Sequence, residues 1–288
     1  MTRKKPPPKA TTTSSAQPPT VSGSWLVKSL VLSVVGGVVC VWGVFCLLFW
    51  QGSWQLLFHP TASITRTPAS VGLSYEQIGF AATESGELQL QGWLIPAAPS
   101  GPFSRYTVLY LHSQNGNLGD TVDALARLHE TGVNILAFDY RGYGKSAFAR
   151  PSEAHWREDA GWALRYLTGT RHVAPSAIVL YGTGLGANLA LEVAAENPQL
   201  AGVILDAPLE DPMQPVFSDQ RASLVPAHLL NRDRFDMDGV AADLRIPSLW
   251  IVPSPDQPEP YQRIASAKNL VHQNSSKALA GWLSRLSR

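Results

Sequence analysis

The chain has 288 residues, of which 45% are hydrophobic and 16% are charged. Soluble domains usually carry about 25% charged residues, so this composition excludes a highly charged, disordered chain and indicates that part of the chain lies in lipid. The net charge of +1 gives no bulk basic character of the kind that binds nucleic acid. Two cysteines, Cys40 and Cys46, are too few for a disulfide scaffold or a cysteine-ligated zinc cluster.

The charge is unevenly distributed, because the first 28 residues are basic. They hold five bases and no acid, whereas the other 260 residues hold 18 bases and 22 acids. The five bases are Arg3, Lys4, Lys5, Lys9 and Lys28. Proline, serine and threonine fill much of this arm, and such a composition offers too little apolar surface to fold. We therefore predict a disordered basic arm over residues 1–28.

A long apolar run follows the arm. Leu30–Trp50 contains no charged residue and supplies the roughly 20 apolar residues that a membrane-spanning helix needs. Trp25 precedes this run and Trp54 follows it, at positions where interfacial aromatic residues are favoured. The pattern predicts a single transmembrane helix over residues 29–50, with the lipid bilayer as its partner, followed by a linker over residues 51–75.

A cleaved signal peptide and a buried soluble helix are the two alternatives for this run. The run exceeds the roughly 7–15 apolar residues of a signal peptide, and no convincing small-residue cleavage site follows it. Positive charge lies only on its N-terminal side. This asymmetry predicts a cytoplasmic N-terminus and a C-terminal domain outside the cytoplasm.

The rest of the chain alternates strand and helix patterns. Polar and apolar residues alternate in Glu87–Ile95, as in a half-exposed strand. Short apolar runs predict buried strands at Thr107–His112, Val133–Tyr140, Ala177–Gly182, Leu200–Ala207 and Ser248–Val252. Helical spacing predicts helices at Leu118–Thr131, Ser152–Leu167, Leu185–Glu196 and Ser275–Leu286. Single helices between strands predict an α/β domain over residues 76–288, with a mostly parallel sheet covered by helices on both faces.

Sites in such sheets lie at the carboxyl ends of the strands, and four segments there carry recognisable signals. They are LYLHSQNGNLGD (109–120), FDYRGYGKS (138–146), LYGTGLGANLA (180–190) and IPSLWIVPSPD (246–256). In this order they resemble the α/β-hydrolase fold, and in particular the membrane-anchored bacterial hydrolases grouped with serine aminopeptidase-like proteins. The resemblance runs from about Leu56 to the C-terminus, and it implies that the stretch 208–244 occupies the place of a lid.

The resemblance also implies where hydrolysis would occur, and there one residue type is missing. The family carries a nucleophilic serine at the centre of G-x-S-x-G, on a sharp turn from strand to helix. Here the turn reads GTGLG (182–186), so the nucleophile position is Gly184. Glycine tolerates the strained backbone of such a turn but has no atom that attacks a carbonyl carbon. The usual nucleophilic catalysis is therefore expected to be absent.

The other family positions are partly kept. Asp256 matches the acid that orients the catalytic histidine, although a turn residue in PSPDQPEP is an alternative role for it. His272 is the only histidine suitably placed after that acid. The resemblance assigns the oxyanion hole and the pocket to a set of four residues: His112, Ser113, Gln114 and Leu185. The family typically has His-Gly-Asn at the first three of these positions, and several simultaneous substitutions indicate relaxed constraint.

Neither a cofactor nor a metal ion is expected. The seven histidines show no metal-ligand spacing. The glycines of GTGLGA do not keep the register of a dinucleotide-binding loop, and Asp206, about 20 residues further on, is more simply explained as the end of a strand.

Three hypotheses for function follow from these residues. The substitutions favour a pseudoenzyme, a degenerate hydrolase that binds an unidentified ligand or partner without turning it over. The second hypothesis is an active ester or amide hydrolase with a non-standard nucleophile, for which Ser113 is a better candidate than Thr183. A water molecule activated by His272 and Asp256 is another form of this second hypothesis. A scaffolding role at the cell envelope is the third, and only the membrane anchor supports it.

Overall fold

The computed structural model describes residues 22–287 of the chain, so most of the predicted basic arm lies outside the described residues. The first helix, α1 (Gly23–Gly52), contains the predicted span Leu30–Trp50 and is long and apolar enough to cross a membrane. The internal contacts divide the chain at Leu47, and the second unit begins at Leu48. All further elements belong to this second unit.

The second unit contains ten strands and eight further helices within the described residues. The strands are β1 (His59–Pro60), β2 (Glu76–Ala81), β3 (Leu88–Ile95), β4 (Thr107–Leu111), β5 (Asn115–Gly116), β6 (Asn134–Asp139), β7 (Ile178–Thr183), β8 (Gly202–Asp206), β9 (Ser248–Ile251) and β10 (Lys268–Val271). The helices are α2 (Val122–His129), α3 (Glu153–Arg165), α4 (Leu185–Glu196), α5 (Gln214–Phe217), α6 (Ala227–Leu230), α7 (Met237–Ala241), α8 (Glu259–Arg263) and α9 (Ser276–Leu286).

Eight of the strands form one sheet in the order β10-β9-β8-β7-β4-β6-β3-β2. Strand β3 runs antiparallel to both of its neighbours, and the other pairs are parallel. Side chains alternate between the two faces along each strand: Leu109 and Leu111 of β4 pack with α3 and α4, whereas Val108 and Tyr110 pack with α2 and α9. These observations confirm the predicted mostly parallel sheet with helices on both faces.

The predicted elements are present, with shifts of a few residues at their ends. Helix α4 has the predicted bounds, and the predicted closing helix begins one residue later, at Ser276. Strands β2 and β10 were not predicted, because neither sequence contains a continuous apolar run. Both are edge strands of the sheet, where one side of each strand lacks a neighbour and burial is incomplete.

The segment 51–75, expected as a linker, packs against the sheet in the structure. Leu57 and Phe58 are buried. The Phe58 ring lies 5.2 Å from the Trp156 ring and 6.1 Å from the Phe235 ring, both in edge-to-face arrangements. After Phe58, β1 pairs in parallel with β5, which lies in the loop after β4. The chain that follows α1 is therefore attached to the carboxyl end of the sheet.

The stretch 208–244, called here the cap segment, carries α5, α6 and α7. Buried Asn188 of α4 binds it through two hydrogen bonds with Leu209, one to the backbone oxygen at 2.8 Å and one from the backbone N–H at 2.9 Å. A third hydrogen bond joins Asn188 to the oxygen of Phe235 at 3.3 Å. The cap segment is thus fixed to the helix that begins at the GTGLG turn.

Candidate active site at the strand-to-helix elbow

The GTGLG turn forms a sharp elbow between β7 and α4. Gly184 stands at its apex with φ +56° and ψ −127°, a backbone conformation that side chains with a Cβ adopt only under strain. Its N–H donates to the backbone oxygen of Asp206 at 2.9 Å, which fixes the apex to the end of β8. The elbow therefore forms without a serine at its apex.

The two flanking glycines are required by close approach of the backbone. A Cβ on Gly182 would collide with the backbone of Gly186, and a Cβ on Gly186 would collide with the carbonyl oxygens of Leu111 and His112. The strand, the helix and the loop after β4 meet here without room for side chains. The glycine spacing of the motif is therefore explained by packing alone.

The loop after β4 places Ser113 and Gln114 over the apex. An ideal Cβ at residue 184 would lie 3.1 Å from the Cβ of Ser113 and 3.4 Å from Oε1 of Gln114. Oε1 of Gln114 also accepts a hydrogen bond of 3.3 Å from the backbone N–H of Leu185. In a serine hydrolase, the N–H that follows the nucleophile binds the negatively charged oxygen of the tetrahedral intermediate. Here the corresponding N–H, that of Leu185, already donates to the neutral side-chain amide of Gln114.

The backbone of Gln114 is held from two sides. Its carbonyl oxygen accepts one hydrogen bond from the N–H of His59 and one from the hydroxyl of Tyr143, each at 2.9 Å. His59 belongs to the segment that follows α1, and Tyr143 belongs to the FDYRGYGKS loop after β6. These contacts fix the loop that carries the Gln114 amide.

His112 is buried beneath the elbow. Its Nδ1–H donates to the backbone oxygen of Ser113 at 2.7 Å, which leaves Nε2 as the unprotonated nitrogen. Burial lowers the pKa of His112 to about 4, so the ring is neutral near pH 7. The ring lies 4.6 Å from the ring of Tyr140, within an aromatic cluster. His112 thus supports the loop from below and does not face the apex.

Asp139 is a buried neighbour of His112 that sequence reasoning did not single out. One carboxylate oxygen lies 3.7 Å from Nε2 of His112 and accepts a hydrogen bond of 2.9 Å from the N–H of Leu118. Burial raises the pKa of Asp139 to about 7. The only available signal was its position at the end of a buried strand, within FDYRGYGKS.

Asp256 and His272 come from two neighbouring loops. His272 directly follows β10, and its Nδ1 lies 3.0 Å from the backbone oxygen of Ser254 and 3.2 Å from that of Val252, both in the loop after β9. Asp256 belongs to the same loop and is exposed. No hydrogen bond or ion pair joins the two side chains in the described part of the chain. The structure thus places His272 against the loop that carries Asp256, but backbone carbonyls of that loop bind the imidazole.

A cleft of about 560 Å³ separates the cap segment from the loop after β9. Asp256 lines it together with five further carboxylates and one base: Glu210, Asp211, Asp236, Asp238, Glu259 and Arg234. Its lining includes neither the elbow nor Ser113 or Gln114. In residues 22–287, no group of three or more histidine, cysteine, aspartate or glutamate side chains is arranged to hold a metal ion.

A second polar cluster, not predicted from the sequence as a site, lies at the end of β8. The carboxylate of Asp206 accepts hydrogen bonds from the hydroxyl of Tyr181 at 2.7 Å and from the amide of Asn274 at 2.5 Å. Burial raises the pKa of Asp206. Asn274 lies two residues after His272. The loop after β10 thus contacts the Asp206 carboxylate, beside the elbow, through the side-chain amide of Asn274. An amide neither takes up nor releases a proton.

Comparisons with known proteins find similar proteins for part of the chain. Residues 103–237 match the family described as serine aminopeptidase, S33. An uncharacterized protein of Mycobacterium tuberculosis is 31% identical over 182 residues, which are 62% of this chain and 62% of that protein. Protein bem46 of Schizosaccharomyces pombe is 34% identical over 143 residues, 49% of this chain and 46% of that protein. The chain thus spans less than two thirds of the length of these relatives.

Solved structures share the fold of this chain. An esterase of Pyrococcus furiosus aligns with a TM-score of 0.58 at 18% identity, over 80% of this chain and 95% of the esterase. An α/β hydrolase of Vibrio vulnificus aligns with a TM-score of 0.54 at 21% identity, over 75% and 81% of the two chains. The likeness to these structures shows that the chain has the α/β-hydrolase fold. Within this hydrolase-fold domain, the elbow, the loop after β4 and the loop after β10 meet at the carboxyl edge of the sheet.

Proposed function

We propose that this hydrolase-fold protein is a membrane-anchored pseudoenzyme, which binds a ligand or protein partner without forming a covalent acyl intermediate. The apex of the elbow carries the proposal, because Gly184 has the backbone of a nucleophile elbow and no side-chain oxygen. Without that oxygen, an ester or amide substrate has no serine to attack its carbonyl carbon.

The Gln114 amide supports the same proposal. An oxyanion hole stabilises the tetrahedral intermediate only when its N–H groups are free to meet the developing charge. The N–H of Leu185 already donates to Oε1 of Gln114 at 3.3 Å. A substrate oxygen would have to displace a side chain whose backbone is held by His59 and Tyr143.

The surroundings of His272 give further support. In a working triad, a carboxylate holds the Nδ1–H of the histidine and stabilises the imidazolium that forms during catalysis. Nδ1 of His272 instead lies within hydrogen-bond distance of the backbone oxygens of Ser254 and Val252. Neutral carbonyls orient a ring but supply no full negative charge to stabilise an imidazolium.

The anchor and its orientation complete the proposal. We place the membrane span at residues 29–50, preceded by a basic arm at 1–28 and followed by the hydrolase-fold domain, with a lid in the cap segment. The five bases before the span favour a cytoplasmic N-terminus and a domain outside the cytoplasm. Protease treatment of intact cells tests this orientation, because a domain outside the cytoplasm is digested while the cells stay sealed.

An active hydrolase that uses Ser113 is the second candidate function. One observation favours it: the Cβ of Ser113 lies 3.1 Å from the position that a Cβ at residue 184 would take. The Ser113 side chain is therefore beside the place where a superfamily nucleophile would stand. This candidate requires that Ser113→Ala abolish the activity of the wild-type protein.

Hydrolysis of short-chain p-nitrophenyl esters by the full-length protein in lipid nanodiscs separates the two candidates. We expect the wild type and the matched control Gly184→Ala to remain at the background rate and Gly184→Ser to gain activity. Because a Cβ at residue 184 lies close to Ser113, the same serine is also introduced together with Ser113→Gly, which makes room for it. Wild-type turnover that disappears in Ser113→Ala would contradict the pseudoenzyme and support the second candidate.

A further inference from the structure

The chain leaves the predicted span at the same edge of the sheet that carries the elbow. The apolar run ends at Trp50, and His59, nine residues later, is already hydrogen-bonded to the loop after β4. An extended chain advances at most about 3.5 Å per residue, so nine residues reach no further than about 30 Å. The carboxyl edge of the sheet therefore lies within about 30 Å of Trp50, the last residue of the apolar run.

Large apolar side chains are exposed near this edge. Beyond Trp50, four of those in the described part of the chain are more than half exposed: Leu88, Phe148, Leu224 and Leu229. Phe148 is 97% exposed and Leu229 is 81% exposed. A single exposed leucine is ordinary on a protein surface, but an almost fully exposed phenylalanine is unfavourable in water. The position of these side chains on the domain indicates which kind of partner covers them.

Phe148 lies two residues from a direct contact with the end of the span. The guanidinium group of Arg150 donates to the backbone oxygen of Trp50 at 2.5 Å and lies 5.7 Å from the centre of its indole ring. Tryptophan and arginine are typical of the membrane–water interface, where the ring lies among headgroups and the cation reaches phosphate. Phe148 is therefore next to the interfacial end of the anchor.

Leu229 is connected to the same place through the cap segment. The ring of its neighbour His228 lies 4.0 Å from the ring of Phe217 in α5, and α5 contacts the turn Ser53–Leu56 that follows α1. The backbone oxygen of His228 also accepts a hydrogen bond of 3.1 Å from Arg234. Leu229 is thus an exposed apolar residue in the part of the cap segment that adjoins the turn Ser53–Leu56.

The two segments are also joined to each other. The carboxylate of Asp233 accepts a hydrogen bond of 2.9 Å from the N–H of Glu153, three residues after Arg150. Arg232 and Arg234, on either side of Asp233, are exposed, as is His228. Exposed cations beside exposed apolar side chains match the chemistry of a phospholipid surface, which offers phosphate above and acyl chains below.

We propose that Phe148, Arg150 and Leu229 form a docking face that lies against the lipid bilayer. Phe148 and Leu229 insert at the boundary between headgroups and acyl chains, and the neighbouring cations bind lipid phosphate. The candidate site then opens at the membrane surface, where a ligand arrives from or beside the lipid. The docking face requires the membrane anchor but does not depend on whether the site is catalytic.

Single labelled cysteines in the full-length protein test the docking face. Replacing Cys46 by serine leaves Cys40 in the predicted span as the reference for a site inside the membrane. With both native cysteines replaced, Phe148→Cys and Leu229→Cys report on the docking face. Ser176→Cys is the control, since Ser176 is exposed in the turn before β7, at the opposite edge of the sheet.

Each variant carries a nitroxide label in nanodiscs of phosphatidylcholine and phosphatidylglycerol, and collisions with oxygen and with a water-soluble nickel chelate are measured. We expect a several-fold higher oxygen-to-nickel ratio at residues 148 and 229 than at residue 176. Phe148→Asp should lower the ratio at residue 229, because both side chains lie on one docked face, and should leave residue 176 unchanged. Equal ratios at residues 148, 229 and 176 would overturn the proposal. A water-exposed label at Cys40 would overturn both the anchor and the docking face.

Discussion

The side-chain oxygen of Gln114 accepts a hydrogen bond of 3.3 Å from the backbone N–H of Leu185, the first residue of α4. The first N–H groups of a helix have no partner within the helix and attract negative charge. In an active hydrolase one of them is left for the substrate oxygen. Here the protein binds that N–H itself, so the loop after β4 and the elbow close on each other.

Removal of the Gln114 amide should open the oxyanion hole. In the Gly184→Ser background, Gln114→Ala should raise ester hydrolysis by about 10- to 100-fold over Gly184→Ser alone, because one oxyanion donor contributes at least this much in serine hydrolases. Initial rates with p-nitrophenyl esters measure the effect. In the wild-type background Gln114→Ala should leave hydrolysis at the background rate and lower the free energy of unfolding by about 1 kcal/mol. An unchanged rate in the serine background would show that the amide does not block the site.

Gly184→Ala should destabilise the domain by about 1–3 kcal/mol, the usual range for a non-glycine residue in a sparsely populated backbone region. The φ of +56° is one cause, and the 3.1 Å approach of the new Cβ to the Cβ of Ser113 is the other. Chemical unfolding followed by tryptophan fluorescence measures the loss. Ser113→Gly should recover part of it in the double variant, and purely additive effects would contradict the contact.

The sequence alone predicted those features that depend on local pattern. The bounds of α4 follow from a buried apolar helix between glycine and asparagine, and the elbow follows from the spacing of its glycines. The contacts of Gln114 with Leu185 and of Asp206 with Asn274 join residues 71 and 68 positions apart, so no local pattern encodes them. Such side-chain pairs depend on how whole loops pack.

Asp139 should make stability decrease as the pH rises. Its pKa is raised from 3.8 to about 7 by burial, so between these values the folded state keeps a proton that the unfolded state has lost. The free energy of unfolding therefore falls from about pH 4 to pH 7, by up to ~4 kcal/mol from this group. Asp139→Asn should flatten this slope when unfolding is measured across the range. His112 acts in the opposite direction. Burial lowers its pKa to about 4, so this group lowers the stability of the folded protein as the pH falls below 6.5.

Asp123 provides the control with the opposite sign. Its pKa is lowered by a hydrogen bond from Arg66, so it supports stability above its unfolded pKa and loses that support as the pH falls. In Asp123→Asn, the free energy of unfolding should therefore fall slightly less at acidic pH than in the wild type. The decrease between pH 4 and 7 that Asp139 causes should be unchanged. If Asp139→Asn leaves the slope between pH 4 and 7 as it is in the wild type, Asp139 is not protonated in the folded state.

The Asp206 cluster should behave as one unit. Asn274→Ala removes a donor from a half-buried carboxylate and should lower the free energy of unfolding by about 1–3 kcal/mol. Tyr181→Phe removes the other donor and should have an effect in the same range. Because both donors bind the same oxygen, the double variant should depart from the sum of the single effects in a double-mutant cycle. Gln273→Ala, at an exposed neighbouring position, is the control that should change nothing.

Intact-mass spectrometry of the full-length protein after treatment with a serine-directed fluorophosphonate tests the central claim most directly. The wild type and Gly184→Ala should keep their masses, whereas Gly184→Ser, combined with Ser113→Gly where space requires it, should gain one phosphonyl adduct. A wild-type adduct that Ser113→Ala removes would contradict the account, because it would reveal an activated nucleophile at an elbow that has no serine at its apex.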